Sequence, residues 1–118
     1  MPAVSPDGKL LMYGMVDDQH PQGVMAVCDL PACASTRYVT PLPPVAVNFL
    51  RWTPDGLGFA YVNQSNIWIQ PINGGTAYPL THFTEGSIGE FAWSHDGKRL
   101  AIARGLGLAS NVILFKRN

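Results

Sequence analysis

Three consecutive residues, Ser94-His95-Asp96, carry the side chains of a hydrolase triad: a hydroxyl nucleophile, an imidazole base and a carboxylate. In a working triad these side chains converge from separate segments, so that the base contacts both of the other groups. Direct neighbours in sequence cannot form that relay. Ser5-Pro6-Asp7 and Thr53-Pro54-Asp55 fill the same position elsewhere in the chain. The pattern therefore predicts a turn in which His95 stands in place of proline.

The two cysteines, Cys28 and Cys33, could support a metal site or a disulfide. A structural zinc ion takes four Cys or His ligands, often in closely spaced pairs. The three histidines show no such pairing: His20, His82 and His95. The favoured interpretation places Cys28 in a strand as a small apolar residue and Cys33 in the following loop. A local disulfide is the alternative, if Pro31 turns the chain back on itself.

Two glycine-rich stretches and one acidic cluster are the remaining candidates. Residues 105–110 lack the third glycine and the helix of a dinucleotide-binding loop, and they predict a lengthened loop between two strands. Residues 86–89 fall short of a nucleophile elbow and lead into a strand. Asp17-Asp18-Gln19-His20 lacks the oxygen-rich pattern of a calcium loop and predicts a solvated loop. The sequence thus predicts no catalytic residue, no cofactor and no metal ligand.

An internal repeat determines the positions of these residues. The segment Ser/Thr-x-Asp-Gly occurs at residues 5–8, 53–56 and 94–97, and its aspartates lie 48 and 41 residues apart. An apolar burst follows each segment, and a second burst recurs downstream, introduced by Ser-Asn at 65–66 and 110–111. Proline favours a turn, glycine permits positive φ, and aspartate accepts hydrogen bonds from turn N–H groups. Each segment is therefore predicted to be a tight turn between two strands.

Strand signals fill the sequence between these turns, and no segment keeps helical spacing for the ~10 residues that a helix needs. The strands predicted in the middle unit are Val47–Thr53, Gly58–Asn63, Ile67–Pro71 and Thr76–Thr81. A four-stranded meander of about 40–45 residues is the period of a propeller blade. We predict an all-β chain of about three four-stranded antiparallel blades in an incomplete ring. The blades are placed at approximately residues 1–46, 47–86 and 87–118.

Aromatic residues recur at equivalent positions of the units, which predicts that they pack between blades. These residues are Trp52, Phe59, Tyr61, Trp68, Phe91 and Trp93.

Two stretches carry a resemblance to a known family. Residues 93–101 (Trp-Ser-His-Asp-Gly-Lys-Arg-Leu-Ala) and 66–75 (Asn-Ile-Trp-Ile-Gln-Pro-Ile-Asn-Gly-Gly) resemble the WD40-like, PD40-type repeats of TolB-like β-propellers. The closing stretch 110–116 is similar to the last strand of propellers that follow kinase or winged-helix domains in bacterial regulators. The resemblance implies a non-enzymatic module that binds proteins or peptides, or serves as a scaffold. It also implies two alternatives: a gating propeller of a prolyl oligopeptidase-like peptidase, and a sensor propeller of a kinase or transcription regulator.

The count of predicted strands leaves the ring open. About eleven strands make just under three blades, whereas closed propellers have about four to eight. One explanation, the simpler, is that the chain is the C-terminal piece of a longer propeller. The other is that several copies assemble, because two chains would supply about six blades. In that case an unpaired strand at residues 112–116 could accept a strand from the other copy.

Composition and charge limit the partners. Eight Lys and Arg residues balance eight Asp and Glu residues, without the basic excess typical of nucleic-acid binding. No apolar run approaches the ~20 residues of a membrane span, and no signal peptide follows Met1. We therefore expect a protein or peptide partner, or further blades supplied by self-assembly or by missing chain. Nucleic acid and membrane insertion are not expected.

Overall fold

The computed structural model describes residues 2–21, 23–39, 50–106 and 109–116, and every regular element in these ranges is a β-strand. The first sheet contains β1 (Ala3–Val4), β2 (Leu10–Met15), β3 (Val24–Asp29) and β4 (Thr36–Val39). The second contains β5 (Arg51–Trp52), β6 (Gly58–Asn63), β7 (Asn66–Pro71) and β8 (Tyr78–Pro79). The third contains β9 (Ser87–Trp93), β10 (Arg99–Leu106) and β11 (Ala109–Lys116).

Each sheet is an antiparallel meander, because strands that follow one another in sequence are also neighbours in the sheet. The predicted fold class is therefore confirmed: the chain is all-β and is built from three antiparallel sheets like the blades of an incomplete propeller. The described ranges contain no helix that is long and apolar enough to cross a membrane.

Two strand predictions in the second sheet need correction. The fourth strand is much shorter than the predicted Thr76–Thr81, since only Tyr78–Pro79 pairs with β7. Just beyond it the Leu80 N–H donates to the Ile67 carbonyl at 2.7 Å, and the Thr81 hydroxyl then accepts the Ile67 N–H at 3.0 Å in place of a backbone carbonyl. The strand predicted at Val47–Thr53 pairs only through Arg51–Trp52, and its residues 47–49 lie outside the described residues.

The predicted lengthened loop at residues 105–110 is also wrong. β10 and β11 stay paired through Gly105↔Ser110 and Leu106↔Ala109, so four residues of this stretch belong to the ladder. The glycine-rich composition of this stretch favours a loop, but strand pairing depends on the neighbouring strand as well as on local composition. Residues 107–108 of this stretch lie outside the described part of the chain.

Large apolar residues form two cores, one on each side of the second sheet. Phe59, Tyr61 and Trp52 of the second sheet pack with Met12 and Val27 of the first. On the opposite side, residues of the second and third sheets meet: Ala60, Ile67, Ile69, Phe91, Leu100 and Ile102. Burial of apolar area between adjacent sheets is thus the main stabilising term, as the recurring aromatic positions predicted.

The connection from the second sheet to the third is anchored by hydrogen bonds from Ser65 and Asn66. The Asn66 side chain donates to the Phe83 carbonyl at 3.0 Å and accepts the Phe83 N–H at 2.6 Å. Ser65 donates its hydroxyl to the Gly86 carbonyl at 2.7 Å. The Ser-Asn pair that recurs in the sequence therefore anchors the connection that leads to the next sheet.

The two cysteines form a disulfide, so the favoured interpretation of two unpaired thiols is wrong. Cys28 is buried in β3 as predicted, and its sulfur is bonded to that of Cys33, with a Cα–Cα distance of 5.0 Å. The turn after Asp29 provides the required approach, because the Cys33 N–H bonds the Asp29 carbonyl at 2.6 Å.

Reducing this disulfide should lower the free energy of unfolding by about 2 kcal/mol, because a short covalent loop restricts the unfolded chain. Urea denaturation with and without a reductant measures the difference. Cys33→Ser is the control: its midpoint should match that of the reduced chain and should not respond to the reductant. Identical midpoints for the oxidised and reduced wild type would contradict the prediction.

Candidate functional site

Three tight turns with the same hydrogen bonds lie at residues 5–9, 53–57 and 94–98, and we call the surface that they form the turn face. In the first, the Ser5 hydroxyl donates to Asp7 Oδ1 at 2.7 Å, and the Lys9 N–H donates to the same oxygen at 3.0 Å. The second and third turns repeat both bonds, at 2.6 and 3.0 Å. Glycine with φ of +76°, +73° and +75° closes them, as the sequence pattern predicted.

These hydrogen bonds favour the ionised form of two turn aspartates. The Ser5 hydroxyl, followed by the Lys9 N–H, lowers the pKa of Asp7 below its ordinary 3.8. The Ser94 hydroxyl, followed by the Lys98 N–H, lowers the pKa of Asp96 in the same way. The turn face therefore carries negative charge at neutral pH, next to the lysines of the same turns.

The chain should become less stable as the pH falls below about 4. A carboxyl whose pKa is lower in the folded state stabilises the fold above its unfolded pKa, and that contribution is lost as the pH falls through the folded pKa. We expect the melting temperature to drop in this range. The Asp7→Asn, Asp96→Asn double variant should lose part of the acid dependence, since amides do not titrate there. Equal pH profiles of the variant and the wild type would contradict the assignment.

Consecutive turns also contact each other through a proline and a glycine, an arrangement that we call the proline–glycine ladder. A Cβ atom at Gly56 would lie 3.9 Å from Pro6 Cδ, and one at Gly97 would lie 2.8 Å from Pro54 Cβ. The proline of each turn thus packs on the glycine of the next turn. At Gly8, in the first turn, no atom of the described residues lies within 4 Å of the corresponding Cβ position.

A groove opens on the turn face and runs between the second and third sheets. One part is a cavity of about 350 Å³ that lies between the second turn, residues 71–73, Leu80 and Trp93. A second part, of about 320 Å³, lies among all three turns and includes Trp52 and Trp93. Trp93 lines both parts, so we treat them as one site, the turn-face groove. Tyr78 and Leu57 are exposed apolar residues at its rim.

Ser94-His95-Asp96 lies at the edge of this groove as one of the three turns. The Ser94 hydroxyl donates to Asp96 at 2.6 Å, and its oxygen accepts the Arg99 N–H at 3.0 Å. The serine therefore contacts the carboxylate directly, with no imidazole between the two groups. This geometry serves a turn and lacks the imidazole relay of a triad.

The acidic cluster at residues 17–20 forms a closed turn away from the groove. His20 Nδ1 lies 2.9 Å from Asp17 Oδ1, and the His20 ring stacks on Tyr38 with 5.7 Å between ring centroids. Desolvation raises the pKa of Asp17, but the hydrogen bonds from His20 outweigh it and leave the pKa lowered. Within the described ranges, no three His, Cys, Asp or Glu side chains converge to hold a metal ion.

Arg104 is a buried cation that the sequence reasoning missed. Its guanidinium lies over the Phe83 ring, 3.7 Å from the centroid, and Nη2 donates to the Glu85 carbonyl. It therefore fixes the connection at residues 83–85 from the side of the third sheet. The sequence does contain a signal for this residue. Arg104 directly follows the apolar run Ala101–Ala103 of a predicted strand, so its side chain is expected to lie against buried residues.

Together, the three antiparallel meanders with their repeated turns define an all-β protein of TolB-like fold. A solved structure described as that of a "putative TolB" from Agrobacterium tumefaciens has a TM-score of 0.67 and 24% sequence identity to this chain. The match covers 98% of this chain and 41% of that chain, so this chain spans about two fifths of that neighbour's length. No family model and no curated protein matches the sequence. At this level of identity the likeness shows the fold.

Proposed function

We propose that this chain is a non-enzymatic binding module of TolB-like β-propeller type and that the turn-face groove binds a peptide or a protein loop. The three sheets are its blades, at approximately residues 1–46, 47–86 and 87–118. The observation that carries the proposal is the groove itself. Its two parts, of about 350 and 320 Å³, are within the usual size of ligand sites.

The chemistry of the walls supports a peptide with an apolar anchor. Pro71, Ile72, Leu80 and Trp93 supply apolar and aromatic surface on both sides of the larger part. Such surface, with exposed apolar residues at its rim, is typical of sites that bury one or two large side chains of a partner.

The polar groups of the groove already have structural roles. Thr53 Oγ1 donates to Asp55 and accepts the Gly58 N–H at 3.2 Å, and Asn73 Oδ1 accepts the Gly75 N–H at 2.8 Å. These bonds keep the rim in place before a ligand arrives, so little ordering is required on binding. They provide no activated nucleophile, which supports binding without catalysis.

A selection from a phage-displayed library of random peptides, with the immobilised chain as target, tests the proposal. The most enriched peptide is synthesised and titrated against the wild type and Tyr78→Ala by calorimetry. Tyr78 lies at the rim of the groove, so we expect its loss to weaken binding by about tenfold or more.

Tyr38→Ala is the matched control, because Tyr38 is equally an exposed tyrosine but lies outside the groove. Binding to this variant should stay within about twofold of the wild type. Failure to enrich any peptide, or equal losses for both tyrosine variants, would contradict the assignment of the groove.

A further inference from the structure

The face of the third sheet that points away from the second is apolar and uncovered. The repeat aligns Val112 and Leu114 with Ile67 and Ile69, and the strand registers agree: Leu114 pairs with Ala101 as Ile69 pairs with Ala60. Ile67 and Ile69 are 0% and 4% exposed because the third sheet covers them. Val112 and Leu114 are 75% and 66% exposed. The same face is therefore buried in one unit and bare in the next.

This face also has a hollow that needs large side chains to fill it. A cavity of about 180 Å³ lies among Ala92, Ala101, Ala103 and Val112, with the exposed carboxylate of Glu90 at its edge. In the second sheet the equivalent alanine, Ala60, is fully buried in the core that Phe91 and Ile102 of the third sheet complete. We call the side of a sheet that faces the preceding sheet its incoming face, and the side that faces the following sheet its outgoing face. By analogy with the junction of the second and third sheets, the bare face fits a sheet that carries large apolar residues on its incoming face.

The incoming face of the first sheet is open only in part, because Val24, Ala26 and Cys28, which the strand register places on this side, are at most 1% exposed. Its open part lies around Val4 and Leu11. Val4 pairs with Leu11 as Trp52 pairs with Phe59 in the second sheet, so the two pairs occupy equivalent positions. Val4 is 55% exposed and Leu11 is half-buried, whereas Trp52 and Phe59 are 7% and 0% exposed. Gly8 lies at the same end of the chain, and nothing packs on it among the described residues.

We propose that the bare face of the third sheet binds the first sheet of a second copy of this chain, head to tail. This interface joins an outgoing face to an incoming face, as do the two junctions between neighbouring sheets within one copy. His95 of one copy would then lie on Gly8 of the other, in the position that proline has in the two ladder contacts within one copy. Two copies place six sheets in one ring, within the range of about four to eight for closed propellers. The proposal does not depend on the turn-face groove or on any ligand.

Light scattering on a sizing column, over a range of concentrations, measures the assembly directly. The wild type should have twice the 12.8 kDa mass of one chain. Leu114→Glu on the outgoing face and Val4→Glu on the incoming face should each weaken the dimer by at least about tenfold, because each places a charge in an apolar interface. Val16→Glu is the control: Val16 is equally exposed but follows β2 outside both faces, and its dimer should be unchanged.

Mixing the two variants tests the head-to-tail arrangement. A mixed dimer of Leu114→Glu with Val4→Glu has both charges at one junction and two native faces at the other. It should therefore form at concentrations at which each variant alone is monomeric. Circular dichroism and cooperative melting of each variant establish that the sheets remain folded.

Three results would overturn the proposal. One is a wild-type chain that stays monomeric throughout the concentration range. Another is a dimer that Leu114→Glu disrupts while Val4→Glu does not, because that pattern requires two third sheets to meet face to face. The last is growth into long polymers, because a head-to-tail contact that does not close produces filaments.

Discussion

Phe59→Ala should lower the free energy of unfolding by about 3–5 kcal/mol, the usual loss for removing a buried phenylalanine. Phe59 is fully buried and lies in the core between the first and second sheets, in contact with the group that contains Met12 and Trp52. Its removal leaves a cavity that both sheets would have to move to fill. Urea denaturation at equilibrium measures the loss.

Leu57→Ala is the matched control, two residues away and on the surface. Its substitution should change the free energy of unfolding by less than about 0.5 kcal/mol. If Phe59→Ala cost as little as this control, the core between the two sheets would not be a main source of stability.

Gly97→Ala should cost about 2–5 kcal/mol, from two sources that add. An L-residue at φ +75° loses about 1–2 kcal/mol. The new Cβ atom would also lie 2.8 Å from Pro54 Cβ, and crowding of this kind costs about 1–3 kcal/mol. The second contribution is the one that measures the contact between neighbouring turns.

Gly8→Ala separates the two contributions, because Gly8 has nearly the same φ, +76°, but nothing within 4 Å of a new Cβ. It should lose only the conformational part, about 1–2 kcal/mol. Both variants are best measured with Leu114→Glu present, so that no second copy covers Gly8. Adding Pro54→Ala to Gly97→Ala should restore part of the lost stability. Equal losses at Gly8 and Gly97 would mean that the ladder contact contributes nothing.

Local sequence chemistry is sufficient to predict the turns and the strands that leave them. Ser/Thr-x-Asp-Gly specifies its own hydrogen bonds, so the sequence alone identifies Asp7, Asp55 and Asp96 as turn residues. β6 was predicted with its bounds, Gly58–Asn63, since turn signals delimit it on both sides. The fourth strand was overestimated because Thr81 looks like a strand residue, while its hydroxyl instead substitutes for a backbone partner.

The groove and the ladder could not be predicted from the sequence, because each depends on the distance between sheets. Trp93 packs between units as its recurrence predicts, but its place at the junction of two cavities depends on segments that are distant from it in the chain. Pro54 and Gly97 are likewise far apart in the chain, and their contact follows from the way in which the second and third sheets pack. The disulfide required knowledge that the chain after Asp29 turns tightly enough to bring Cys33 to Cys28.

The proline–glycine ladder has a consequence for how such a chain can grow. Each contact joins a residue of one unit to the glycine of the next, and none is made within a unit. The second unit carries both halves of the contact, Pro54 and Gly56, so a duplicate of it would bring both halves to each new boundary. An array of such units can therefore gain or lose whole modules by duplication and deletion while the contact between neighbouring turns is kept.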